Sequence, residues 1–155
     1  MQGDHISPGD FTPSPSSSLL IDCSLEDFNY VYLNDNLIEA YGSAPPSKAI
    51  EDSFKLVANF PSSSTSLKRV VIATSNPYYT LIPQPVFDET KLLAYLPNSP
   101  DGFTLSNKFI QELDGYFIYA LSTSWKREIE KHFTAASLVH TVEAMLHHSL
   151  NTSEA

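Results

Sequence analysis

From Leu19 the chain alternates: Leu19, Ile21, Cys23 and Leu25 fall on one side of LLIDCSL, with Asp22 and Ser24 on the other. That period of two is the signature of a half-buried strand. Glu26-Asp27 turns the chain into DFNYVYL, rich in aromatic and β-branched residues, and Asn34-Asp35-Asn36 is turn chemistry ahead of a third short strand, LIEAYG. Three successive strands predict a meander. Ala44-Pro45-Pro46-Ser47 stops the sheet, and Ser47 is placed to cap a helix whose first turn carries Glu51 and Asp52. Ile50, Phe54, Val57 and Ala58 form its apolar stripe, and it ends before Pro61. After a serine-rich loop comes KRVVIATS, whose run from Val70 to Ala73 has no polar face, as in a strand covered on both sides.

In YYTLIPQPVFDE, residues 78 to 89, Tyr79 and Leu81 alternate with Tyr78, Thr80 and Ile82, which predicts a short edge strand. Pro83 and Pro85 end it, since neither donates to a ladder. Asp88 reads as an N-cap, with Phe87 and Leu92 spaced as a hydrophobic staple for a helix running through KLLAYL. The next segment, SPDGFTLSNKFIQELDG, reads mostly as loop, with a short helix around Lys108 to Leu113. YFIYAL, residues 116 to 121, is a second fully apolar strand. Ser124 is placed to cap a helix with Trp125, Ile129 and Phe133 on one face, SLV is a last strand, and TVEAMLHHSL a last helix with Val142, Met145, Leu146 and Leu150 turned inward. Buried strands alternating with helices imply a parallel portion, so the expected fold is α/β with a mixed sheet. The order is that of ribonuclease-H-like folds and of each half of actin-like ATPases.

The 155 residues fit one domain. We place it at residues 19–150, between a disordered tail at 1–18, marked by Pro8, Pro13, Pro15 and three serines, and a polar tail at 151–155. A single cysteine, Cys23, excludes an internal disulfide and fits a reducing cytoplasm. There is no basic leader and no run of membrane-spanning length, so a membrane location is not expected. The net charge of −9 is concentrated at one end: residues 1–47 contain seven acids and no Lys or Arg. A nucleic acid would be repelled there, with no cation to replace its counterions.

Three stretches together resemble the bacterial domain-of-unknown-function 3822 family: LIDCSLEDFNYVYLNDNLI, NPYYTLIPQPVFDETKLLAYL, and DGYFIYALSTSWKREIEKHF followed by LVH. The resemblance spans about residues 18–150 and rests on hydrophobic and turn positions rather than on a catalytic signature. It implies an actin-like ATPase fold of two similar halves, of which this chain has the N-terminal one, and it implies no activity. A half that stands alone leaves a sister-facing surface uncovered, so a protein partner or a homodimer is expected.

The candidate chemistry is sparse. An actin-like ATPase cradles phosphate in the turn between its first two strands, typically with an Asp-x-Gly-x-Thr pattern. Here that turn reads Asp22-Cys23-Ser24-Leu25-Glu26-Asp27, without glycine and with carboxylates where phosphate would approach. A magnesium-dependent ribonuclease-H-like nuclease needs clustered carboxylates. Asp22, with Glu51 or Asp52, supplies part of such a set, but the next buried strand ends in Thr74-Ser75-Asn76. His140, Glu143 and His147 share a helix face and are the weak candidates for a metal, against the plainer reading of histidines near a helix terminus. Cys23 reads as a small buried hydrophobe and Trp125 as core. Tyr78, Tyr79 and Thr80 remain as a candidate contact surface. The sequence thus favours a non-catalytic interaction or scaffold module without catalytic residues or cofactor, over a nucleotide-binding ATPase-like protein and, third, a nuclease.

Overall fold

The computed structural model describes residues 13–24, 27–35, 37–44, 67–133 and 135–152. The helix expected over residues 47–60 lies outside the described residues. After a turn at Ser14 to Ser17 come β1 (Ser18–Ser24), β2 (Phe28–Asn34), β3 (Leu37–Ala44) and β4 (Arg69–Ser75). Next are β5 (Tyr79–Pro83), a short helix α1 (Leu92–Tyr95), β6 (Phe103–Ile110) and β7 (Gly115–Ser122). Helix α2 (Thr123–His132), β8 (Ser137–His140) and α3 (Thr141–Thr152) complete the order.

The strands form two sheets. A five-stranded sheet runs β3-β2-β1-β4-β8, antiparallel through the meander and parallel at β1/β4 and β4/β8. The alternation seen in the sequence becomes one buried face: Leu19, Ile21 and Cys23 pair with Tyr32, Tyr30 and Phe28, and all six are buried. Ile72 extends this face, and α2 covers it with Trp125 and Ile129, with Phe133 beyond the helix end. Gly42 pairs with Tyr30, whose hydroxyl lies 2.4 Å from where a Cβ on Gly42 would stand, so only glycine leaves room for the ring. The β2–β3 turn holds Asp35 at φ 45°, a left-handed position that Asp tolerates.

Between β4 and α2 the chain builds a second, three-stranded sheet, β5-β7-β6, antiparallel throughout. Two expectations are corrected here. The apolar strand at residues 116–121 does not join the parallel portion; it is the centre of this separate sheet, and the parallel neighbour of β4 is the short β8. The expected loop over 99–115, with its helix at 108–113, is largely strand: β6 occupies Phe103–Ile110, and only Gln111–Leu113 coils, as a single 3₁₀ turn. The alternation of β6 is faint because Thr104, Ser106 and Lys108 share a face with Ile110 alone, and its stability comes from the apolar β7 beside it.

Smaller corrections follow from the helices. Ser122, not Ser124, is the N-cap of α2, without a side-chain capping bond, and the two serine hydroxyls bond each other at 3.0 Å. Asp88 does cap, its Oδ1 accepting the Thr90 amide at 3.0 Å, but it opens a 3₁₀ turn, and the helix proper is only the four residues of α1. Hydrogen bonds from Lys91 and Thr90 hold the Asp88 carboxyl down at about 2. Phe87 stacks on Tyr116, ring centres 3.7 Å apart, and on Tyr95. In α3, Val142 and Leu146 pack against the three-stranded sheet as expected, whereas Met145 is 62% exposed. The face of α3 that meets protein is too narrow to include it.

Candidate functional site

Parallel strands end together, and in open α/β sheets their carboxyl ends are where ligands bind. Here β1, β4 and β8 bring Asp22, Thr74, Asn76 and His140 to one edge, joined by Thr141 and Glu143 from the first turn of α3. Thr141 Oγ1 donates to Thr74 O at 3.2 Å, tying the start of α3 to the end of β4.

His140 is buried, with both ring nitrogens engaged: the Val142 amide donates to Nδ1 at 3.2 Å, and Nε2 lies 3.2 Å from Asn76 O. An Nδ1 that accepts requires the proton on Nε2, so the ring is the neutral Nε2–H tautomer. Burial pulls its pKa below the ordinary value, against the opposing effects of the Asn76 carbonyl and Glu143. Tyr79, Phe117 and Tyr119 surround the ring at 5.1 to 5.5 Å.

Glu143 is buried and takes an ion pair from Lys108 of β6, whose own side chain is half exposed. Its charge and, more strongly, burial push the Tyr119 hydroxyl up, opposed by a hydrogen bond with Ser106. Asn76 closes the group: its Nδ2 donates to Ala120 O at 2.8 Å and its Oδ1 accepts the Tyr78 amide at 2.9 Å. The result is a polar joint in which strand ends, α3 and the three-stranded sheet meet.

The β1–β2 turn lies beside this joint. Ser24 N donates to Asp27 O at 2.8 Å, and the Asp27 amide donates to Ser24 Oγ at 2.9 Å. Both amides are used within the turn. Partial burial first, then the neighbouring Asp27, raise the Asp22 pKa, while contact with Thr141 lowers it. Cys23 is fully buried, its thiol 3.3 Å from Ala73 O and its pKa pushed up to about 12 by burial. It is an inert core residue.

Of the sequence candidates, His140 and Glu143 come together in the joint, whereas the His147 side chain lies outside those described. Among the described residues no group of three His, Cys, Asp or Glu is placed to hold a metal. Glu51 and Asp52 also lie outside the described residues. Tyr78 and Thr80 point to one face of β5 and Tyr79 to the other; Tyr78 packs edge-on against Phe103, 5.9 Å between centres. Sequence reasoning did not single out Asn76 or Lys108 as joint residues. Asn76-Pro77 carried a signal, since an Asn before proline opens a turn by bonding backbone, but Lys108 was hidden because the sequence reading set it at the start of a short helix, whereas it lies in a strand. Away from the joint, an open groove of about 390 Å³ is lined by Lys126, Ile129, Glu130, Phe133, Ala136 and Leu138 with Ser106 of β6.

The sequence model of the family described as Protein of unknown function (DUF3822) matches residues 7–155. The chain belongs to the DUF3822 family. This DUF3822 chain is similar to a solved Bacteroides thetaiotaomicron protein of actin-like ATPase fold and unknown function. Identity is 18% and the TM-score 0.72, over 90% of this chain and 57% of that one. It is also similar to the cytoplasmic domain of EpsL, an inner membrane component of the type II secretion system of Vibrio cholerae. There identity is 11% and the TM-score 0.47, over 81% and 55% of the two chains. The DUF3822 chain thus spans a little over half the length of these structures, and the first likeness shows an actin-like ATPase half-domain fold. No curated protein matches. No described helix is long and apolar enough to cross a membrane.

Proposed function

We propose that this DUF3822 chain is a non-catalytic interaction or scaffold module, a pseudo-ATPase half-domain working in the cytoplasm with a protein partner or a second copy rather than with nucleic acid. The observation that carries the reading is the β1–β2 turn. In an actin-like ATPase this turn receives phosphate on free amides, but here Ser24 N and Asp27 N are bonded inside the turn, and Asp22 and Asp27 stand close enough for one to raise the pKa of the other. A phosphate brought there would meet two carboxylates and gain neither amide.

The test is a thermal-shift series with Mg-ATP, Mg-GTP and Mn²⁺ at millimolar concentration. No stabilisation is expected. A reproducible rise of several degrees with one nucleotide would move the assignment to a nucleotide-binding protein, and a rise with Mn²⁺ alone to a metal-dependent one.

A further inference from the structure

Helix α3 is held mainly by its first turn. Among its described side chains, Val142 and Leu146 pack on the cluster of Ile110, Phe117, Tyr119 and Leu121, and both are only half-buried. Ala144, Met145 and Ser149 are exposed. So thin an apolar contact leaves the polar bonds of the first turn to fix the helix: Thr141 Oγ1 on Thr74 O, Lys108 on Glu143, and the Val142 amide on His140 Nδ1. A helix of 12 residues is marginal in water by itself, so one that loses this anchorage lifts or unwinds.

We propose that α3 is an acid-operated latch: protonation of His140 releases the start of the helix and bares the apolar cluster beneath it, while the five-stranded sheet stays folded. His140 ends β8 and precedes α3, and its Nδ1 accepts from the second amide of the helix, as a capping side chain does. Its Nε2–H is spent on Asn76 O. A proton can therefore enter only at Nδ1, where the new N–H would face the Val142 N–H. Turning the ring over does not help, because an imidazolium offers two donors to a site made of one donor and one acceptor. The cap bond is lost and a charge is left in a buried place. The surrounding groups compensate little. Tyr79 of β5, Phe117 and Tyr119 of β7 supply aromatic rings, and Asp22 of β1 reaches the site only through Thr141. Glu143 of α3 favours the imidazolium but is already paired with Lys108 of β6. Burial outweighs it and holds the pKa of the closed form below the ordinary value. The released form, with its ring in water, takes the proton first, so the latch is closed above about pH 6.5 and loosens as pH falls towards the closed-form value. This holds whether or not the β1–β2 turn takes phosphate.

The test is amide exchange of the wild-type protein, expressed as protection factors from about pH 7.5 to 5, with and without low urea. Protection of α3 is expected to fall about tenfold over this range. It should be nearly insensitive to urea, since its opening exposes little surface, whereas β1 and β2 follow the full urea dependence of unfolding. In His140→Asn, whose side chain also caps but takes no proton, α3 protection should not change with pH. Should that variant fail to fold, nitrogen NMR of the wild-type imidazole replaces it: the fall must begin near about pH 6.5 and level off where the His140 ring itself titrates. Protection in α3 that is constant with pH, that depends on urea as steeply as β1 and β2, that falls equally in His140→Asn, or that does not follow the ring titration overturns the proposal.

Discussion

The two sheets bury similar kinds of residue by different means. The five-stranded sheet covers a face of alternating Leu, Ile, Cys and Tyr with α2, and its interior is apolar except at the strand ends. The three-stranded sheet has a smaller cluster, Ile110, Phe117, Tyr119 and Leu121, and meets the rest of the protein through α3 and the joint of Asn76, His140, Lys108 and Glu143. Apolar packing tolerates small shifts, whereas a buried polar contact fails when one partner is lost. The difference teaches that the second sheet is positioned by a few directional bonds more than by its core.

Phe117→Ala is the harshest way to break this comparison. It empties the smaller cluster and is expected to cost about 3–5 kcal/mol. Because the joint couples the sheets, urea denaturation followed by Trp125 fluorescence, which reports the other sheet, should shift together with far-UV circular dichroism; two separate transitions would show the sheets to be independent. Asn76→Ala is next, at about 2–3 kcal/mol, since it strips partners from the Ala120 carbonyl and the Tyr78 amide while leaving both cores intact. Amide exchange should then accelerate more in β5 and β7 than in β1 and β2.

A pH series sharpens the contrast with a smaller effect. The His140 pKa is lowered in the folded state, so its contribution is fully present above about pH 6.5. It is lost as pH falls from there towards the folded-state value, because the unfolded chain takes up the proton first. His140→Gln should remove this component, so that the wild-type-minus-variant difference curve falls between pH 7 and 5, and a flat difference curve there would count against the assigned tautomer. Asp22→Asn should do least. The Asp22 pKa is raised, so its ionisation opposes folding above its folded value and is silent below about pH 3.8. A rise in melting temperature of about 1–2 °C at pH 7, absent at pH 3, is expected by calorimetry.

How much was legible in the sequence divides along the same line. The meander, β4 and the family resemblance could be read because Leu19, Ile21 and Cys23 alternate over a single interior, and local pattern matches burial. Residues 116–121 were legible as a strand but not as a member of a second sheet, because an apolar run is equally at home in a parallel centre or an antiparallel one. β6 was illegible for want of contrast between its faces. At the candidate site, the carboxylate-rich, glycine-free turn was plain in the sequence. The joint was not, since it unites Asn76, Lys108, His140 and Glu143 only after both sheets have formed.

The Asn76 side chain, reaching from the entrance of the three-stranded sheet to Ala120 near its exit, also bears on how the chain folds. Parallel pairing of β4 with β8 must close a long loop, and such closures are slow because entropy is lost before contacts reward it. Within the intervening sheet the β6–β7 hairpin forms from near neighbours, β5 then joins it by reaching past β6 to β7, and once Asn76 holds the two ends together the loop that remains is little more than α2. The excursion through the second sheet therefore works as a shortcut: folding it first brings β8 within reach of β4.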